Sequence, residues 1–133
     1  MSKCMAAFLV LALVAACDRA GTDAAATISA GRLEARIESG EAPLILDVRT
    51  RTEYEAGHVP GAINVPHTEL SGRLAELGAS KDAEIVVYCR SGKRAAIAES
   101  ILGEAGFSYV RHLEGDMEGW QVGGHAVTRA HGP

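Results

Sequence analysis

From Thr27 onward, short apolar runs of strand length alternate with segments of helical periodicity. Ile28 begins a short edge strand. Ala30, Leu33, Ala35 and Ile37 give an amphipathic helix that Gly40 ends. Leu44, Ile45 and Leu46 form a buried strand that delivers Asp47 at its C-terminal end. Thr50 and Glu53 have capping-box spacing for a brief helix stopped by Gly57. Residues 62–65 read as the next strand, and Leu70, Leu74 and Leu77, at i, i+4 and i+7, predict a helix after it. Residues 84–88, rich in β-branched and aromatic side chains, are the strongest strand signal and run straight into Cys89. A helix over 95–105, a strand over 109–113 and a short turn over 115–120 complete the pattern. This βαβα order implies an α/β domain built on a parallel sheet with helices on both faces. Ligand sites in such sheets lie at the C-terminal strand ends, where Asp47 and Cys89 both fall.

The first residues follow another pattern. Lys3 precedes an apolar block of 12 residues, 5–16, broken by the first acid at Asp18. The block is short of the roughly 20 residues a membrane-spanning helix needs, so residues 1–16 read as a secretory signal peptide. Val14-Ala15-Ala16-Cys17 resembles the bacterial lipobox, which implies a diacylated Cys17 holding the protein at the periplasmic side of the cell envelope. Ordinary leader cleavage beside Cys17 is the alternative. Asp18 resembles the signal that retains lipoproteins at the inner membrane in enteric bacteria. Residues 17–26 then read as the lipidated cysteine and a flexible tether, 27–128 as the folded domain, and 129–133 as a C-terminal tail.

Composition narrows the function. A chain of 133 residues fits one ordinary domain, and 47% hydrophobic with 23% charged residues is a globular balance. The net charge of −4 and the absence of a basic run argue against nucleic acid as a partner. Of three cysteines, Cys4 leaves with the leader and Cys17 is blocked by lipid, so Cys89 stands without a disulfide partner in an oxidising compartment.

The surroundings of Cys89 point to chemistry. Cys89-Arg90-Ser91-Gly92-Lys93-Arg94 follows a buried strand and opens a helix, so its backbone N–H groups can curl around the sulfur as an anion cradle. Gly92 permits the required backbone conformation. Arg90, Lys93 and Arg94 oppose the helix dipole and want a compensating anion. Such a setting favours a nucleophilic thiolate. The five histidines show no metal-ligand spacing among themselves or with Cys89, so no metal or other cofactor is implied. His58 reads as the one histidine near the site, with a Cys–His dyad left open. His125 and His131 read as part of a mobile, glycine-bearing tail.

Four blocks in register resemble the rhodanese-like family: Leu46-Asp47-Val48-Arg49; residues 53–66, which include Gly57-His58-Val59-Pro60-Gly61; residues 87–94 around Cys89; and residues 113–120 ending in Trp120. The resemblance implies a five-stranded parallel sheet flanked by helices, and sulfane-sulfur transfer through a persulfide on Cys89. The donor would be thiosulfate or a related small sulfur anion, and the acceptor cyanide or a thiol, with a sulfur-relay protein as a further partner. It also implies that Arg90, Ser91, Gly92, Lys93, Arg94 and Arg49 bind the donor, that Asp47 and Glu53 hold cations in place, and that Gly57, Pro60, Gly61 and Trp120 serve the scaffold. Ala95 stands where some members carry Ser or Thr. Two rivals remain open. One is a carrier or binding module without turnover. The other is a Cys-based phosphatase or arsenate reductase, disfavoured because only four residues separate Cys89 from Arg94.

Overall fold

The computed structural model describes residues 26–130. The expected leader, Cys17 and nearly all of the tether lie outside the described residues, as do residues 131–133. Five strands, β1 (Thr27–Ile28), β2 (Leu44–Asp47), β3 (Ile63–Asn64), β4 (Ile85–Tyr88) and β5 (Val110–Leu113), form one sheet in the order β1-β5-β4-β2-β3. Every pairing is parallel. Four α-helices accompany them: α1 (Ala30–Glu38), α2 (Arg51–Ala56), α3 (Lys93–Glu104) and α4 (Asp116–Val122). No helix among the described residues is long and apolar enough to cross a membrane.

The strand alternation divides the interior in two. Ile85, Val87 and Cys89 face one core, with Leu102, Ala98 and Ala95 of α3 and with Leu70, Leu77 and Phe107. Val86 and Tyr88 face the other, with Leu33 of α1 and with Met117 and Trp120 of α4. Central strand β4 is buried along its whole length, as a strand covered on both faces must be. After β2 the chain moves outward to β3, and after β4 it moves the other way to β5. The ends of β2 and β4 therefore flank the crevice where the winding reverses.

Two elements differ from the sequence pattern. The leucines at 70, 74 and 77 lie on two 3₁₀ turns, Leu70–Gly72 and Leu74–Leu77, rather than on one helix. Gly72 and the departure of Arg73 from helical angles divide the segment, and burial of Leu70 and Leu77 satisfies the apolar pattern without a continuous helix. The segment expected to be a short turn near 115–120 is helix α4, which buries Met117 and Trp120 three residues apart on one face.

Candidate active site

Strand β4 ends at Tyr88, and the next residue, Cys89, is only 1% exposed. Gly92 caps α3 with φ +114°, a conformation side chains rarely adopt, and its N–H donates to the Cys89 sulfur at 3.0 Å. Helix α4 holds the beginning of the loop, because the amides of Met117 and Glu118 donate to the carbonyls of Cys89 and Arg90 at 2.9 and 3.2 Å. The sulfur thus sits beside a fixed donor at the start of a twelve-residue helix, an arrangement suited to negative charge.

The cations named from the sequence have distinct placements. Arg94 is half-buried and makes a two-pronged pair with Glu53 at 2.7 and 3.0 Å. The Arg94 guanidinium holds the Glu53 carboxyl down at about 2, so the pair is ionic throughout the physiological range. Glu53 also closes the capping box with Thr50 that starts α2. Arg90 is exposed and pairs with Glu118 at 3.2 Å, while Ser91 and Lys93 face solvent.

Arg49 is buried, bonds both oxygens of Asp47, and reaches the Gly57 carbonyl at 2.7 Å. The Tyr88 hydroxyl donates to Asp47 at 2.8 Å and accepts from the Val59 amide. Burial pushes the Tyr88 phenol far above its ordinary value, which keeps it a donor. Asp47 and Arg49 thereby lock the end of β2 to the turn after α2. A cleft of about 270 Å³ opens between that turn and α4, lined by Arg49, Glu53, Gly57, Arg90, Met117 and Glu118 among others.

His58 is buried in the turn, stacked on Tyr54 at 3.7 Å and bonded to the Tyr54 carbonyl. The histidine beside the cysteine loop is His112, which corrects the sequence expectation. Its ring nitrogens lie 3.0 Å from Glu99 and 2.8 Å from Asp116, and the other oxygen of Asp116 accepts the Cys89 N–H at 3.0 Å. Sequence reasoning missed this group because His112 lies near the end of a strand and Asp116 opens a helix, so no single periodicity links them. The available signal was the pairing of β5 with β4, which puts His112 level with Val87 and on the face of Cys89.

His125 also departs from the expected mobile tail. Its ring packs at a tilt against Trp120, 4.8 Å between centroids, and bonds Glu34 of α1. His131 lies outside the described residues. Among the described residues, no group of three or more His, Cys, Asp or Glu side chains is placed to hold a metal ion.

A cysteine delivered by the central strand of a parallel sheet, with its sulfur met by the amide of a glycine that caps the next helix, defines a strand–loop–helix cysteine domain of the α/β class. The chain belongs to the rhodanese-like domain family, whose model matches residues 29–122. It is 44% identical over 116 residues to an HTH-type transcriptional regulator of Mycobacterium tuberculosis, covering 86% of this chain and 49% of that protein. It is 37% identical over 70 residues to the thiosulfate sulfurtransferase PspE of Escherichia coli, covering 53% and 67%. The crystal structure of the Alr3790 protein from Anabaena sp. superposes with a TM-score of 0.71 at 34% identity, over 77% of this chain and 82% of that one. The chain spans about half the length of the first curated relatives it matches.

Proposed function

We propose that the protein is a sulfurtransferase that carries sulfane sulfur as a persulfide on Cys89. The Cys89 thiolate attacks the outer sulfur of thiosulfate, the S–S bond of the donor breaks, and its electron pair leaves on sulfite. Cyanide or a thiolate then attacks the outer persulfur, and Cys89 departs as thiolate. No net oxidant or reductant is needed. The observation that carries the reading is the Gly92 N–H aimed at the sulfur from 3.0 Å, which serves the thiolate and the persulfide anion alike. The exposed charges of Arg90 and Lys93 supply the donor's attraction. Arg94, braced by Glu53, adds a fixed positive charge, while Asp47 and Arg49 hold the neighbouring strand end. The leader and a lipid on Cys17 place the enzyme at the periplasmic face of the envelope, with a membrane or a sulfur-relay protein nearby. Labelling with radioactive palmitate, lost in Cys17→Ser, tests that part.

Intact mass before and after thiosulfate tests the chemistry. A gain of about 32 Da, absent in Cys89→Ser and discharged by cyanide as thiocyanate, is the expected result. A folded, reduced protein that takes up no sulfur from thiosulfate or polysulfide overturns it.

A further inference from the structure

Asp116 is a non-glycine residue with φ +53°, and it is 4% exposed. Such a conformation persists where the side chain is held by its surroundings. Its two oxygens are both engaged, one by the Cys89 N–H and one by His112. The carboxylate that holds the Cys89 amide brings a negative charge to the loop that carries the sulfur. The ring of His112 lies between two carboxylates, Asp116 at the start of α4 and Glu99 on α3, while β1 and β4 bring Thr27 and Val87 alongside. Carboxylates only accept hydrogen bonds, so both contacts are satisfied only when both ring nitrogens carry protons.

The group also touches the loop. A Cβ on Gly92 would stand 3.2 Å from Asp116 and 3.7 Å from the His112 ring, and it is the Gly92 amide that meets the sulfur. From this geometry we infer that His112 and Asp116 are positioning residues for Cys89. Asp116 fixes the Cys89 amide, and the His112 imidazolium cancels the charge that Asp116 brings to the sulfur. Deprotonation of His112 adds a full negative charge behind the loop, which repels both thiolate and an anionic donor. The hydrogen bond that His112 donates to Asp116, reinforced by the charges of Asp116 and Glu99, holds His112 above its ordinary value despite burial. The device therefore persists to higher pH than a free imidazole would allow and is lost as pH rises through the titration of His112.

The inference rests on the sulfurtransferase reading for its purpose, but its test does not need sulfur transfer. The rate of Cys89 alkylation is measured against pH with neutral iodoacetamide and anionic iodoacetate in the full chain. The iodoacetate-to-iodoacetamide ratio is expected to fall on the order of tenfold as His112 loses its proton. It stays flat with pH in His112→Gln and is raised in Asp116→Asn, which keeps an oxygen for the Cys89 amide. NMR titration of the His112 ring is expected to place its midpoint above that of a free histidine and to drop in Asp116→Asn. A ratio with the same pH profile in wild type and His112→Gln overturns the inference, as does a ring that titrates at or below the free value. Should alkylation behave as expected while thiosulfate leaves Cys89 unmodified, the positioning role stands and the donor assignment fails.

Discussion

Replacing Arg49 by Leu tests whether the end of β2 is held by a buried ion pair. The substitution removes the side-chain hydrogen bonds to Asp47 and the one to the Gly57 carbonyl, and it strands Asp47, which is fully buried. Breaking a buried pair from one side costs about 3–5 kcal/mol. Asp47 keeps the Tyr88 hydroxyl and the Arg49 backbone amide, so the lower figure, about 3 kcal/mol, applies. Against a total stability of about 5–15 kcal/mol for a domain of this size, that is a large fraction. Arg49→Lys keeps the charge but cannot reproduce the forked contact, and its cost falls between, about 1–2 kcal/mol. Urea unfolding followed by Trp120 fluorescence is a clean assay, because the chain has one tryptophan and it is fully buried. With an m-value of about 1.5 kcal/mol/M the midpoint of Arg49→Leu moves down by about 2 M. An Arg49→Leu protein within about 1 kcal/mol of wild type would refute the argument, as would a lysine variant as damaged as the leucine one.

The other expectations are simpler. Glu53 is held at about 2, so its pair with Arg94 contributes fully above its ordinary value of 4.5 and is lost as pH falls toward 2. Its partial exposure leaves the contribution near 1 kcal/mol; melting temperatures of wild type and Glu53→Gln should converge at acid pH, and parallel curves would rule the pair out as a stabiliser. Gly92→Ala forces a Cβ onto a φ of +114° and 3.2 Å from Asp116. Persulfide loading by thiosulfate, followed by mass, should slow about tenfold or more while circular dichroism is unchanged, and wild-type loading would refute the loop argument. Tyr88→Phe leaves the Val59 amide without its acceptor and takes a donor from Asp47, a loss of about 1–3 kcal/mol in the same urea assay; a change under half of that would show that the two groups find other partners.

Much of the scaffold was legible in the chain because its signals are local. The β-branched run before Cys89, the Thr50–Glu53 box and the alternation of short apolar segments each specify one element without long-range help. The segment around Leu74 was misjudged because leucine spacing is the same for a helix and for two 3₁₀ turns with buried ends, and only Gly72 hinted at the break. The proposed nucleophile and its glycine were equally readable, since both lie within six consecutive residues. The partners were not. Asp116 reaches the Cys89 amide across 27 positions, and Arg94 finds Glu53 across 41. Such pairs exist only after strand order is fixed, and strand order comes from packing rather than from neighbouring residues.

The hold of α4 on the Cys89 loop sets an order of events during synthesis. The carbonyls of Cys89 and Arg90 are bound by amides of Met117 and Glu118, each 28 positions further along. A growing polypeptide that has already made Cys89 cannot shape the loop until nearly thirty further residues have emerged and docked. The thiol thus spends its nascent life in a loop without its final contacts, and the surroundings seen in the fold are assembled only when α4 docks.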